Sequence, residues 1–439
     1  MDWKKEAAAN KEHLYLTVCR YYQELILNQK LPAGSKMPSL RNCARELSLS
    51  RTTIENAYFQ LAADGYIAPK AQSGYYVTDI ASHRADSKPP LSAKENEGCR
   101  YDFASSGVDR ESFRFDLWQR YIKSALRQDE RLLSYGEPQG ELDLRQALCS
   151  YVREHRNILC SPEDIVVGAG MQSLLHILCP LLTQKKTVSF PTPSFVQGSR
   201  IFEDYGFEVH YRDKECDVIY VSPAHMTKWG EIMPVKRRLQ LVHLAAEKNS
   251  LVIEDDFENE FVYLQKPTPS LYGLSGGNNV IYLGSFSRLL LPSIRISFMI
   301  LPRELTDSYI ERADFYNQTA SKAEQIALCQ FIRDGHLAAQ TRKLRRLYAQ
   351  KLKSLTEAVH QVFGADCRIK AGSAGTSIAF TLSCSLSEDT CRKKFTESGL
   401  RVFLQKNTPE EITLILSCSS MPKEDFVPAC KLLKEVLNR

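Results

Sequence analysis

The sequence lacks the features of secreted, membrane and zinc-ribbon proteins. Its 13 cysteines include no C-x-x-C pair, which argues against a disulfide framework and against a zinc ribbon. No run of about 18 apolar residues occurs, so a membrane span is not expected. The first residues, MDWKKEAAANKEHLYL, contain no apolar segment of signal-peptide length. We therefore expect a cytoplasmic protein with no membrane partner and no metal site.

A strong excess of one charge is also missing. The chain has 57 Lys and Arg against 52 Asp and Glu, a net charge of +5, which does not by itself argue for a nucleic-acid partner. Its 439 residues, 43% apolar, exceed the length of one ordinary domain. Internal repeats are not found. The composition therefore indicates a globular protein of several domains, and the function has to be read from local motifs.

A polar stretch divides the chain into two unequal parts. Residues 80–100, which contain DSKPPLSAKENEGC, have a Pro-Pro step and no apolar period, as is typical of a linker. We expect an N-terminal domain over residues 1–79 and a C-terminal domain over residues 101–439.

The C-terminal part alternates short β-branched runs with helical stretches. Runs such as DVIYVSP and SLVIEDD are continuously apolar, which indicates strands buried on both faces of a parallel sheet. The pattern predicts an α/β domain with a mostly parallel sheet and with sites at the carboxyl ends of its strands. From about residue 310 long helices and two strands, TSIAFTLS and ITLILS, predict a small α+β subdomain over about 310–439.

The N-terminal part predicts a winged helix-turn-helix. In SRTTIENAYFQLAADGYI the apolar residues Ile54, Ala57, Tyr58 and Leu61 have helical spacing, and Ser50 is well placed as the N-cap. A short helix precedes this one across a turn, the arrangement of a helix-turn-helix. The segment GYIAPKAQSGYYVTD then supplies two strands around a Ser-Gly turn, which predicts a wing.

Polar residues cluster where these two helices begin. At Arg41, Arg51, Thr52 and Thr53 the helix dipole and free amides favour DNA phosphates, and arginine can also read guanine edges. The alternative is a helical protein-interaction module with ordinary solvated residues. The order of MPSLR, LSLSRTTI, DGYI and SGYYV resembles the GntR-type winged helix. That resemblance implies contacts with a double-stranded DNA operator from these four residues and from the wing at Gly74.

A series of segments in the C-terminal part resembles the fold-type I pyridoxal-phosphate (PLP) enzymes, the aspartate aminotransferase-like group. They follow the family's order: SYGEPQGELDLRQAL, VVGAGMQSLL, FPTPSF, VIEDDFENEF and GSFSRLLLPSIR. With a winged helix in front, the whole chain resembles the MocR subfamily of GntR regulators. The resemblance implies a homodimer in which Tyr135 reaches the site of the partner subunit.

The implied PLP site has support from the residue types. A glycine-rich turn that opens a helix presents free amides to a phosphate, and hydroxyls with an arginine add charge-assisted bonds. Asp255, at a strand end, could hold the pyridine nitrogen protonated. Plain helix capping and a solvated acidic turn are the alternatives for these two motifs. The implied cofactor-binding residues are Gly170, Met171, Phe195, Asp255, Ser285, Ser287, Arg295 and Tyr135.

Arg288 occupies the position of the family's Schiff-base lysine. A guanidinium stays protonated, with a pKa above about 12, and cannot act as an amine nucleophile. A covalent aldimine is therefore not expected, and no catalytic residue is assigned. Phe257 and Phe195 replace family tyrosines, and the last strand, ITLILSCSS, has no arginine. Arg288 could itself bind a phosphate or a carboxylate.

Together these features predict a DNA-binding transcription regulator whose degenerate aminotransferase-like domain senses a small anionic ligand or noncovalent PLP. One alternative is an active aminotransferase that uses another lysine, with Lys228 near the site in sequence order. It predicts an absorbing aldimine and turnover. The other is a constitutive DNA-binding dimer with a purely structural C-terminal domain, which predicts no ligand-induced change in melting temperature or DNA affinity.

Overall fold

The computed structural model describes residues 13–71, 73–79, 99–105, 107–109, 111–263, 268–364 and 367–438. The chain forms two compact units, Met1–Glu97 and Gly98–Arg439. Most of the expected linker, residues 80–98, lies outside the described residues. Among the described helices, none is long and apolar enough to cross a membrane.

The described part of the first unit has three helices followed by a two-stranded antiparallel sheet. Both helices of the predicted helix-turn-helix begin at a serine cap. Ser39 Oγ accepts from the amide of Asn42 at 3.2 Å, and Ser50 Oγ accepts from the amide of Thr53 at 3.1 Å. The elements are α1 (Leu14–Leu27), α2 (Leu40–Leu47), α3 (Arg51–Ala63), β1 (Ile67–Lys70) and β2 (Gly74–Val77).

The apolar face of α3 forms the centre of this unit. Ile54, Ala57, Tyr58 and Leu61 are all buried, as their spacing predicted. Tyr58 also donates its hydroxyl hydrogen to the carbonyl of Pro38 at 3.0 Å, which ties α3 to the residues before α2. Because one face of α3 is committed to the core, the opposite face is left exposed.

A seven-stranded sheet is the centre of the second unit, with strand order β4-β10-β9-β8-β7-β5-β6. The last strand in sequence, β10, is antiparallel to both of its neighbours, and the pairs from β9 to β6 are parallel. The strands are β4 (Ile165–Gly168), β5 (Thr187–Phe190), β6 (Glu208–Tyr211), β7 (Val218–Val221), β8 (Leu251–Asp255), β9 (Val280–Ser285) and β10 (Ser297–Ile300).

Helices follow most of these strands and cover the sheet. Since β5, β7, β8 and β9 are parallel neighbours, their carboxyl ends lie along one edge, where an α/β sheet places its ligands. The helices are α4 (Phe115–Leu126), α5 (Asp129–Leu132), α6 (Leu142–Arg156), α7 (Met171–Leu178), α8 (Val196–Asp204), α9 (Val235–Glu247), α10 (Leu271–Ser275), α11 (Arg303–Ile310), α12 (Lys322–Arg333) and α13 (His336–Phe363).

The C-terminal part contains a second, antiparallel sheet of four strands rather than the two strands expected, in the order β11-β12-β15-β14. A further short strand, β13, pairs in parallel with β3 from the start of this unit. The elements are β3 (Tyr101–Asp102), β11 (Cys367–Ala371), β12 (Ser377–Ser383), α14 (Glu388–Glu397), β13 (Leu400–Arg401), β14 (Phe403–Thr408), β15 (Glu411–Ser417) and α15 (Phe426–Asn438).

Candidate functional site

The residues proposed to contact DNA lie at the exposed starts of α2 and α3 and at the wing. Arg41, Arg51, Thr52 and Gly74 are exposed. Arg51 Nε is 2.9 Å from Glu55 Oε1, an exposed pair that a phosphate can replace at little cost. Thr53 is half-buried. Its amide and its hydroxyl both form hydrogen bonds with the hydroxyl of Ser50. Thr53 therefore serves the helix cap as well as any contact with DNA.

The exposed face of α3 and the wing contain further exposed residues that the sequence motifs did not predict. Asn56 follows Thr52 by one helical turn and is exposed, and Phe59, one turn further, is 74% exposed. On the wing, the ammonium group of Lys70 lies 4.3 Å from the ring centroid of Tyr76, and that of Lys36, which precedes α2, lies 5.9 Å from the same ring. The i, i+4 spacing from Thr52 was the available signal for Asn56, whose carboxamide can bond an adenine edge.

The acidic segment at the end of β8 is buried, so it is not the solvated turn considered from the sequence. Glu254 accepts hydrogen bonds from the amides of Leu271 and Tyr272 at 2.9 and 3.0 Å. Asp256 accepts from Arg156 Nε at 2.6 Å. Burial raises the pKa of Glu254 to about 7. Buried carboxylates need partners. The amides of Leu271 and Tyr272 and the guanidinium of Arg156 are those partners, and they hold the segment in place.

Asp255 differs from its neighbours because one of its oxygens is left without a partner. Its Oδ2 accepts a 2.6 Å hydrogen bond from the hydroxyl of Tyr220 on β7. Its Oδ1 is buried and has no hydrogen-bond partner among the described residues. Burial raises the pKa of Asp255 to about 6, although the Tyr220 bond lowers it. A buried carboxylate oxygen without a partner can accept a hydrogen bond from a ligand, for example from a protonated ring nitrogen.

Tyr220, the partner of Asp255, is a candidate site residue that the sequence motifs did not predict. Its hydroxyl is buried, and burial beside Asp255 raises the pKa of Tyr220 well above its ordinary value. It therefore remains a donor at physiological pH. The signal in the sequence was a tyrosine within the apolar run VIYV, since a buried tyrosine hydroxyl needs a partner.

Arg288 is held in an internal ion pair. Its Nη2 lies 2.6 Å from Glu258 Oε1 and donates to Thr376 Oγ1 at 3.0 Å. The other carboxylate oxygen, Glu258 Oε2, is 3.0 Å from His225 Nδ1. Burial would raise the pKa of Glu258, but Arg288 and His225 lower it to about 2. An anion that bound to Arg288 would therefore compete with a buried carboxylate of the protein.

Arg295 lies directly over the glycine turn at the start of α7. Gly170 has φ of 92°, and a Cβ at this position would be 2.2 Å from Arg295 Nη2, so the position requires glycine. The amide of Met171, the first residue of α7, has no partner within the helix. In contrast, the amide of Gly170 donates to the carbonyl of Gly168 at 2.9 Å. Met171 and Arg295 thus present donors that Gly170 does not.

Two of the predicted hydroxyls lie together at the end of β9. Ser285 Oγ is 3.3 Å from Ser287 Oγ and 3.0 Å from Ser297 Oγ. A hydroxyl rotates readily between partners, so this small network can turn its hydrogens toward an anion.

The remaining predicted residues have different surroundings. The Phe195 ring centroid is 5.3 Å from that of Tyr220, so Phe195 lies beside the Tyr220–Asp255 pair. Tyr135 is 97% exposed. Lys228 is exposed, and its ammonium lies 4.2 Å from the ring centroid of Phe403 on β14.

Comparison with known proteins identifies both parts of the chain. Residues 14–77 match the bacterial regulatory proteins of the gntR family, and residues 112–375 match aminotransferase class I and II. The chain is 34% identical over 444 residues to the HTH-type transcriptional regulator YdeL of Bacillus subtilis (strain 168), and the match covers 96% of both chains.

A second relative, the probable rhizopine catabolism regulatory protein MocR of Rhizobium meliloti, is 27% identical over 376 residues, which cover 78% of this chain and 75% of that protein. The fold resembles that of an archaeal alanine:glyoxylate aminotransferase, with a TM-score of 0.68 and 19% identity over 77% of this chain and 90% of that one. The aminotransferase fold family is PLP-dependent. The protein is therefore a DNA-binding transcription regulator of the MocR subfamily, in which a GntR-type winged helix is joined to an aminotransferase-like domain.

Proposed function

We propose that the aminotransferase-like domain binds PLP without a covalent bond and that its occupancy regulates DNA binding by the winged helix. The observation that carries this proposal is the unpaired, buried Oδ1 of Asp255. An unpaired buried carboxylate oxygen costs free energy when no ligand is bound. A protonated pyridine nitrogen at this position would remove that cost, and binding would be stronger by the same amount.

Binding of the phosphate would rest on four other predicted residues. The amide of Met171, which has no partner within α7, the guanidinium of Arg295 and the hydroxyls of Ser285 and Ser287 are donors suited to a phosphate. Arg288 supplies no nucleophilic amine and is paired with Glu258. The affinity would therefore come from charge and hydrogen bonds alone, and the ligand would exchange freely with the solvent, as a regulatory effector must.

A cavity next to this site favours a second candidate, a small anionic effector other than PLP. It has a volume of about 590 Å³. Tyr220 and His225 belong to its wall, which also contains three cationic residues and one carboxylate: Arg212, Lys214, Arg237 and Asp213. Such a lining suits a carboxylate or a phosphate ester. A competition measurement with unlabelled anions distinguishes this effector from PLP itself.

The proposal includes a homodimer. Tyr135 is nearly fully exposed, as a side chain that completes the site of a second subunit would be in a single chain. Two winged helices in one dimer would read two half-sites at a fixed spacing, so a ligand at the subunit interface could alter the affinity for DNA through that spacing.

The test is equilibrium binding of PLP, followed by absorbance, with and without borohydride reduction. We expect saturable binding that reduction does not fix to the protein. Asp255→Asn should lose affinity by at least tenfold, since the loss of an acceptor for a charged donor costs about 1.5–3 kcal/mol. Asp307→Asn is the matched control, because Asp307 is exposed and pairs only with its helix neighbour Arg303 among the contacts described.

The alternatives give different results in the same experiment. A PLP adduct fixed to a lysine of the wild type would establish the active aminotransferase, and peptide mapping would identify the lysine, with Lys228 as the first candidate. The affinity for DNA is measured with a sequence selected from a random pool. If no ligand changes that affinity or the melting temperature, the protein is a constitutive DNA-binding dimer. Either outcome overturns the proposal.

A further inference from the structure

Two cysteine sulfurs in the second unit lie close together near the protein surface. Cys149, on α6, and Cys160, four residues beyond the end of this helix, have Sγ atoms 3.7 Å apart. Both side chains are partly exposed. A disulfide requires about 2.05 Å between the sulfurs, so closure needs a rotation of the side chains and a small movement of the segment after α6. Neither residue belongs to the PLP site or to the DNA-binding face.

A second pair of cysteines provides a comparison within the same molecule. Cys384 and Cys391 have Sγ atoms 3.9 Å apart, but both are buried. Oxidation follows access as well as thiolate character. The two pairs have nearly the same distance between their sulfur atoms but differ in exposure. If only the exposed pair is oxidised, the short distance alone does not explain the oxidation.

We propose that Cys149 and Cys160 are a reversible oxidation site, which a hydroperoxide converts to a disulfide. The Cys149 thiolate attacks one peroxide oxygen and the O–O bond breaks. Cys149 becomes a sulfenic acid, and the other oxygen leaves as hydroxide and takes up a proton to form water. The sulfur of Cys160 then attacks the sulfenic sulfur and loses its proton, and a second water leaves. The balance is two thiols and one hydrogen peroxide to one disulfide and two waters.

The electrostatics assign the two roles within the pair. A hydrogen bond from Cys160 lowers the pKa of the Cys149 thiol, and Arg145 acts in the same direction, against burial and two nearby carboxylates. The same hydrogen bond, together with burial, raises the pKa of Cys160. Cys149 is therefore the attacking thiolate and Cys160 the resolving thiol.

The position of the pair connects it to the candidate site. After Cys149, α6 continues to Arg156, whose guanidinium donates to both carboxylate oxygens of Asp256 at 2.6 and 3.1 Å. Asp256 follows Asp255 directly. A disulfide between α6 and the segment that leaves it would bridge over Arg156 and restrain the end of the helix. Oxidation at the surface would thus act on the element that holds the Asp255 loop.

The experiment uses the full chain with hydrogen peroxide as the probe. After brief treatment with a few equivalents, free thiols are alkylated and the digested protein is mapped by mass spectrometry. We expect a Cys149–Cys160 cross-linked peptide within a single chain, reversed by dithiothreitol, while Cys384 and Cys391 remain alkylated. In Cys160→Ser the oxidation should stop at a sulfenic acid on Cys149 that dimedone traps. In Cys149→Ser, Cys160 should stay unmodified.

Cys384→Ser is the matched control and should leave the cross-link unchanged. The proposal is overturned if the folded wild type gives no Cys149–Cys160 peptide, or if Cys384 and Cys391 oxidise at the same rate. It is also overturned if dimedone labels Cys160 in preference to Cys149. The first measurement uses the unaltered protein, so the proposal can be tested even if one of the variants is unstable.

Discussion

The guanidinium of Arg288 lies 2.6 Å from the carboxylate of Glu258, which is only 6% exposed. The residue that the sequence resemblance assigns to the position of the Schiff-base lysine is therefore one half of an internal ion pair. Both halves matter for any attempt to restore covalent chemistry, because a lysine placed there would face the same carboxylate.

Arg288→Lys alone should form a covalent PLP adduct only at high pH. The Glu258 carboxylate stabilises the ammonium form and raises the lysine pKa, so little free amine is present near pH 7. In Arg288→Lys with Glu258→Gln, borohydride-fixed labelling should appear at lower pH. Labelling measured against pH in both variants checks this. Identical midpoints would show that Glu258 does not control the amine.

The acid stability of the second unit should depend on Glu258. Its folded pKa of about 2 is below the ordinary 4.5. The stabilisation is thus fully present above about pH 4.5 and is lost as the pH falls toward 2. The shift corresponds to roughly 3 kcal/mol. Urea unfolding should show that the loss of stability in Glu258→Gln shrinks as the pH falls from 6 to 3, with Glu304→Gln, at an exposed site, as the control.

Asp255→Asn should stabilise the protein at high pH while it weakens PLP binding. The folded pKa of about 6 is above the ordinary 3.8, so the ionised carboxylate costs stability above pH 6 and costs nothing below about pH 4. The stability of the variant relative to wild type should therefore grow by about 2–3 kcal/mol between pH 4 and pH 8. Chemical unfolding at the two pH values measures it, and a constant difference would contradict it.

Asn56→Ala and Lys70→Ala should weaken DNA binding in different ways. Loss of a base contact from Asn56 should cost about 1–3 kcal/mol and relax the preference at one base pair. Loss of a phosphate contact from Lys70 should weaken all sequences alike and reduce the salt slope by about one. Fluorescence anisotropy at several salt concentrations distinguishes them. Arg303→Gln, 87% exposed in the other unit, serves as the charge-matched control.

Subunit complementation tests the role of Tyr135. If its side chain completes the site of a second subunit, Tyr135→Ala and Asp255→Asn should each bind PLP weakly as homodimers. After mixing and exchange, half of the dimers carry one intact site, so about a quarter of all sites should regain affinity. Equilibrium dialysis before and after exchange gives the fraction. If no affinity returns although mixed dimers form, Tyr135 acts within its own subunit or not at all.

The sequence was sufficient for the elements that depend on local patterns. Helix α3 with its Ser50 cap and the buried strands β7 and β8 have the expected positions. Strand β14, with the residues FLQKNT, was missed because an edge strand exposed on one side has no long apolar run. The internal pairs Arg288–Glu258 and Tyr220–Asp255 join residues about 30 positions apart, and a pairing of that kind depends on the packed fold rather than on local sequence.

The parallel pairing of β3 with β13 joins the start of the second unit to a segment near its C-terminal end. Arg100 and Tyr101 donate backbone hydrogen bonds to the carbonyl of Gly399, and Ser417 of β15 donates to the carbonyl of Phe103. The residues that follow the connecting segment thus belong to the layer built from the last 40 or so residues of the chain. The chain therefore enters the second unit through backbone hydrogen bonds to residues close to its C-terminal end, beside the four-stranded sheet and at a distance in sequence of about 300 residues.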